Sequence, residues 1–255
     1  MTTLALTLEQ IRYVNRAYWR NPTVAFFTFA LPLMFLVIFS TLLGHGNVRL
    51  SGRLVPVSTY YVGSMAAWGV ISACYTNVAI SITFQRDAGI LKRTRGTPLP
   101  TAAYLAARVA HSTLTGALLV VLTAAFGAMF YKAALPTGST MVEFVVMFLV
   151  GAASFSALGF ASTVVIPNSD AAPAIVNAII LPLLFLSGVF IPLGSQAPAW
   201  LLWLARIFPV HHFAAGMQAG FLGTPFHWAN VLLVAAWGAA GLIVAIRHFR
   251  WEPRR

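Results

Sequence analysis

Thr23-Val24-Ala25-Phe26-Phe27-Thr28-Phe29-Ala30-Leu31-Pro32-Leu33-Met34-Phe35-Leu36-Val37-Ile38-Phe39-Ser40-Thr41-Leu42-Leu43 runs without a charged residue, and its reading decides the solvent in which this chain folds. A hydrocarbon core about 30 Å thick takes roughly 20 apolar residues in an α-helix, so the run is long enough to cross a bilayer. Its apolar residues are continuous and do not alternate, which favours a helix over a barrel strand. Working outward, charges are absent from six intervals, 21–48, 54–85, 109–131, 144–169, 171–205 and 207–246. Spans are expected near 23–43, 59–84, 104–131, 142–166, 174–192 and 228–247. The last two intervals exceed one span, but their Gly, Pro and His residues shorten the apolar length, so neither holds two. The whole chain agrees, because 59% hydrophobic and 8% charged residues leave too little polar surface for a water-soluble domain of 255 residues.

The net charge of +11 is distributed as membrane topology requires. With a cytoplasmic N-terminus, one side receives twelve basic residues: Arg12, Arg16, Arg20, Arg86, Lys92, Arg93, Arg95, Arg108, Arg247, Arg250, Arg254 and Arg255. The other side receives four: Arg49, Arg53, Lys132 and Arg206. The positive-inside rule therefore puts both termini in the cytoplasm and implies an even number of spans. Residues 1–20, 85–103 and 248–255 are expected to be cytoplasmic, and 44–58 and 193–227 to face outward. The basic residues form short clusters beside spans with no separate folded domain to carry them, which argues against nucleic acid as a partner. The first twenty residues lack an apolar core followed by a small-residue cleavage site, so the first span is expected to serve as its own insertion signal.

Absences narrow the function. The two lysines, Lys92 and Lys132, are not preceded by glycine, so no phosphate loop is present to cradle ATP. The five acidic residues, Glu9, Asp87, Glu143, Asp170 and Glu252, lie at or beyond span ends, whereas an ion-coupled transporter or an intramembrane hydrolase needs such groups inside the membrane. Cys74 is single and mid-span, and reads as a small core residue. Adjacent His211 and His212 cannot both face one metal from a helix and have no HExxH or CxxC companion. With Trp200, Trp203, Phe208 and Phe213 nearby, they read as interfacial residues in an aromatic belt.

The densest cluster of charge is Phe84-Gln85-Arg86-Asp87-Ala88-Gly89-Ile90-Leu91-Lys92-Arg93-Thr94-Arg95-Gly96-Thr97-Pro98-Leu99-Pro100. A short cytoplasmic helix over about 85–94, ended near Gly96, would present Ile90 and Leu91 beside Asp87, Lys92 and Arg93, a surface suited to docking. A solvated basic loop that only fixes topology is the alternative from the residues alone. Thr97 and Thr101 are candidate helix starts for the third span.

This stretch resembles the signature of permeases in the type-2 ATP-binding-cassette (ABC) exporter family, where an acidic-basic pair, a glycine, a hydrophobic-basic segment and Thr-Pro-Leu-Pro lead into the third span. Gln85 and Asp87 stand where that family usually has glutamates. The resemblance implies that Arg86, Asp87, Gly89, Ile90, Leu91, Lys92 and Arg93 form a coupling helix that sits in a cleft of a separate ATPase subunit. A second match is Leu181-Pro182-Leu183-Leu184-Phe185-Leu186-Ser187-Gly188-Val189-Phe190-Ile191-Pro192 with Pro198-Ala199-Trp200-Leu201 and Phe208-Pro209. In the family the fifth span is followed there by a re-entrant helical hairpin on the outer side. Ser187, Gly188 and Pro192 would interrupt a helix, and Pro198 would open an amphipathic one carrying Trp200, Leu201, Leu204 and Ile207. A kinked span followed by an interfacial helix is the simpler alternative.

Near the N-terminus, Leu8, Ile11, Val14 and Tyr18 or Trp19 recur at helical spacing apart from Glu9, Arg12, Arg16 and Arg20, as in an amphipathic helix on the cytoplasmic surface. The expected protein is thus an all-α integral membrane permease forming one domain over 1–255. It comprises a cytoplasmic amphipathic helix (1–22), six spans (23–247) and a cytoplasmic tail (248–255). The resemblance, nearest to the bacterial drug-resistance branch, implies a plasma-membrane exporter that pairs with ABC ATPase subunits and with itself or a sister permease. It also implies that this chain binds no cofactor, ATP and Mg being held by the partner. Phe26, Phe27, Phe29, Phe35, Tyr60, Tyr61 and Trp68 suit a lipophilic cargo or lipid contact equally. Lipid or polysaccharide export, an ion-coupled secondary transporter and an intramembrane enzyme remain as other readings.

Overall fold

The computed structural model describes residues 3–43, 46–50, 53–192, 198–249 and 251–252. The expected tail beyond residue 252, Arg250 and residues 193–197 of the expected hairpin lie outside the described residues. Helix α1 (Thr3–Trp19) lies before α2 (Pro22–Leu43), whose 22 residues contain the opening apolar run. Strands β1 (Asn47–Leu50) and β2 (Arg53–Pro56) then pair antiparallel, with Val48 opposite Val55. This small hairpin is the strand structure among the described residues of an otherwise all-α protein. It sits between two spans, where the backbone has no helix to satisfy its polar groups.

The second crossing is one long helical passage built from α3 (Val57–Ile71), a π-helical turn at Ser72–Thr76 and α4 (Asn77–Asp87). After the six-residue α5 (Ile90–Arg95) come α6 (Thr101–Tyr131), α7 (Ser139–Ser162), α8 (Ala172–Leu186), α9 (Ala199–Ile207), α10 (Pro209–Leu222) and α11 (Trp228–His248). Among the described residues, five passages are long and apolar enough to cross a membrane: Pro22–Leu43, Val57–Asp87, Thr101–Tyr131, Ser139–Ser162 and Trp228–His248. The expected span at 174–192 is helical for only part of its length, because α8 has 15 residues and ends at Leu186. The chain after it still reaches the starting end of α3, since Tyr60 donates to the Gly188 carbonyl and Tyr61 to that of Phe190 at 3.2 Å.

Lipid tails are as apolar as leucine, so helices in a bilayer associate through close packing of small residues rather than through expulsion of water. The α7–α11 pair shows this: a methyl placed on Gly238 would lie 2.3 Å from the Ser154 hydroxyl. Helices α3 and α10 occupy the centre, with Met65, Val70, Phe213 and Met217 fully buried against Met147 and Phe155 of α7. By contrast α2 buries only Ala25, Pro32, Leu36 and Ser40 and leaves Phe26, Phe27 and Leu42 exposed. Amphipathic α1 packs on α6 and α2 largely through the face its spacing suggested, with Ile11 and Tyr18 half-buried beside Val14. Val14 is its one buried residue, while Leu8 and Trp19 are about half exposed at 55% and 49%.

Candidate functional site

The turn between the second and third passages is organised by two residues of opposite character. Gly89 takes a left-handed backbone (φ 71°), which ends α4 and redirects the chain into α5. The expected single helix over 85–94 is therefore two helices, broken because only glycine enters that region without a Cβ penalty. Arg86, at 2% exposure, points the other way, into the bundle. Its guanidinium donates to the carbonyls of Thr163 (2.9 Å), Ile166 (3.1 Å) and Pro167 (3.0 Å), and its Nε donates to Asp87 at 3.1 Å. The second Asp87 oxygen accepts the Ser169 amide at 2.5 Å. A buried guanidinium is tolerated because carbonyls and a carboxylate replace its lost water. The pair ties the turn to the connection between α7 and α8.

Helix α5 is rooted by Leu91, which is wholly buried among Val78, Ile82, Tyr104, Phe160 and Ala245. The expectation that Ile90 and Leu91 are presented together is corrected: a six-residue helix must anchor itself, and Leu91 supplies the anchor. What faces outward is Ile90, 43% exposed, with exposed Lys92, Arg93 and Arg95. Gly96 closes the helix, its amide donating to the Arg93 carbonyl at 3.1 Å, and Thr97 donates to the Thr94 carbonyl at 2.7 Å. The third span then starts at Thr101, one of its two candidate starts. The outer face of α5 is open and its root packs on α4, α6, α7 and α11, while Arg86 and Asp87 of α4 bond the turn to the α7–α8 connection.

At the opposite end, Gly188 is also left-handed (φ 81°) and Ser187 donates to the Leu184 carbonyl at 2.9 Å, so the chain leaves α8 in a tight turn. Pro198 precedes α9, on which Trp200, Trp203 and Ile207 are exposed. Phe208 and Pro209 break the helix, and α10 runs back alongside α7, with Phe213 against Phe155 and Phe221 against Phe144. The break lies level with the middle of α11, where Trp237 donates to the Ile207 carbonyl at 3.0 Å. Helices α9 and α10 are thus joined by a break that lies beside the middle of α11.

His211 and His212 bond around that break to α9, α11 and the exit of α8, correcting their reading as belt residues. His212 is buried, with Nδ1 2.8 Å from the Asn230 side-chain oxygen and Nε2 2.8 Å from the Arg206 carbonyl. His211 Nδ1 lies 3.1 Å from the Ser187 carbonyl. No group of three or more His, Cys, Asp and Glu residues able to hold a metal occurs among the described residues. The aromatic residues weighed as cargo contacts are mostly committed to packing. Phe35, Trp68 and Phe190 form a cluster, Tyr60 and Tyr61 are buried, and Phe29 stacks on Trp19.

Sequence reasoning missed a second polar cluster, where Gln85 accepts from Tyr104 at 2.9 Å and from Arg108. The spacing of Tyr104 and Arg108 on one helix face was the available signal.

Residues 7–222 match the ABC-2 type transporter family. Relatives include ycf38 of Porphyra purpurea, named a transport permease, which is 23% identical over 91% of this chain and 79% of its own length. The inner membrane transport permease YadH of Escherichia coli K12 is 27% identical over 85% of this chain and 80% of its own. A family match over most of the chain, joined to these apolar passages, shows that this multi-pass plasma-membrane protein belongs to the ABC-2 type transporter family as a transport permease, the non-catalytic membrane component of an ABC transporter.

Proposed function

We propose that this permease exports a lipophilic or amphipathic compound of antibiotic or drug-like chemistry, driven by a separate ATPase subunit that holds ATP and Mg and docks on α5. The observation that carries this reading is the division of labour in the turn. Arg86, Asp87 and Leu91 lock it to the bundle, while Ile90, Lys92 and Arg93 are left facing outward. Burying the rest of one isoleucine in a partner cleft contributes about 1 kcal/mol, and the basic rim sets partner choice more than affinity. Exposed Phe26, Phe27 and Met34 of α2 and Leu181 and Phe185 of α8 offer apolar faces to lipid and to a second permease, itself or a sister, with the cargo route between the two copies.

Ile90→Asp is expected to release the ATPase on co-purification, or to uncouple hydrolysis from export, with permease abundance unchanged. Leu91→Asp places a charge in a closed apolar cluster and is expected to abolish accumulation instead. Wild-type ATPase binding and transport in a well-expressed Ile90→Asp protein would remove α5 as the docking element.

The proposed orientation has its own test. A cysteine at position 93 should react with impermeant maleimide only in inverted vesicles, and one at exposed Thr137 only in intact cells. Cys74 is fully buried and should stay silent. Labelling of position 93 in intact cells reverses the topology.

A further inference from the structure

Between α1, α4 and α6 the structure encloses a cavity of about 530 Å³ that the coupling turn helps to line. Its polar wall includes Asn77, Ser81, Gln85, Arg108 and His111. Tyr13, Phe84 and Ile90 also line it and are largely exposed, at 69%, 61% and 43%, so the rim is aromatic and aliphatic. Two features of the wall are unexplained by packing. Arg108 carries a charge that no carboxylate meets among the described residues, where the one ion pair is Arg86 with Asp87. Its guanidinium is held by the neutral Gln85 and lies 5.4 Å from the Tyr104 ring, and its Nε has no hydrogen-bond partner. His111, only 6% exposed, likewise leaves its Nδ1 without a partner, its ring held edge-on by Tyr18 at 5.2 Å. Buried polar groups are normally bonded, so an uncompensated cation with two unpartnered nitrogens makes this wall electropositive and suited to an acceptor.

We propose that this cavity binds the anionic head group of an amphiphile, a phosphate or carboxylate, with Arg108 supplying the charge and His111 a hydrogen bond. The rim at Tyr13 and Phe84 receives the first part of the alkyl chain. The head group has two sources with the same chemistry, a phospholipid of the surrounding leaflet or an exported anionic amphiphile. The second rests on the exporter reading, whereas head-group binding does not. Because Gln85 and Ile90 belong to both the cavity and the coupling turn, occupancy bears directly on that turn.

The test uses the purified full-length chain in phosphatidylcholine nanodiscs with radiolabelled dodecyl phosphate, and needs neither an ATPase nor export. Saturable binding is expected, with dodecyl maltoside a poor competitor. A charge-assisted bond to a ligand makes Arg108→Gln weaker by about tenfold or more, and Arg108→Lys should keep most of the affinity. His111→Phe should weaken binding less, and Arg12→Gln, which removes an exposed charge from α1, should leave it unchanged. Adding phosphatidylglycerol separates the sources: loss of dodecyl phosphate binding identifies a phospholipid occupant, and retention identifies free amphiphile as the preferred ligand. Equal affinity in wild type and a folded Arg108→Gln overturns the proposal. So does equal competition by dodecyl maltoside in the wild-type protein, a result that stands even if the variants fail to fold.

Discussion

Arg86→Met is expected to loosen the permease on the order of 3 kcal/mol and to disconnect the coupling turn from the spans. The side chain is at 2% exposure and serves the carbonyls of Thr163, Ile166 and Pro167 along with Asp87, so its removal leaves three acceptors and a carboxylate without their donor. Arg86→Lys keeps the charge but not the planar fork, and one ammonium cannot reach this spread of acceptors with equal geometry, so it should recover only part of the loss. The measurements are the thermal midpoint of the purified permease and the ratio of transport to ATP hydrolysis in vesicles containing the ATPase. A midpoint within error of wild type would show that the carbonyl cage contributes nothing to stability. A normal transport ratio would show that the link from turn to α7–α8 connection does not carry motion.

Gly188→Val is expected to abolish most export at the other end of the molecule while leaving ATPase binding intact. The φ of 81° is open to glycine but costs a β-branched residue roughly 1–3 kcal/mol, and the same residue's carbonyl accepts the buried Tyr60 hydroxyl. Relief of that strain has to move the exit of α8 away from α3, and with it the Ser187 carbonyl that meets His211 of α10. Tyr60→Phe, which removes the bond without strain, should give a milder defect of the same kind. Transport is read beside co-purification of the ATPase. Normal transport by a correctly inserted Gly188→Val protein would remove the turn from the mechanism, whereas joint loss of transport and ATPase binding would mean misfolding instead.

The sequence by itself determined the solvent, five of the long passages and several of the breaks. Uncharged runs of span length have few physical outcomes in a bilayer, and Gly96, Gly188, Pro198 and Pro209 end or redirect helices, whereas the break at Gly89 came with the structure. What it left open was direction. Arg86 reads as a surface cation beside Asp87, and only the arrival of the α7–α8 connection, 77 to 81 residues away, supplies the carbonyls that let it be buried. Leu91 and Ile90 are adjacent and alike, yet one is closed off by α4, α6, α7 and α11 and the other is left open, because a helix of six residues has one inward side. The seating of the break between α9 and α10 was decided the same way. Phe208 and Pro209 announce a break, but its place beside the middles of α7 and α11 follows from Phe213 on Phe155 and Trp237 on the Ile207 carbonyl. Local chemistry sets where the chain bends, since propensities and charge act within a few residues. Which faces are hidden depends on helices distant in sequence, and only the packed tertiary structure brings them together.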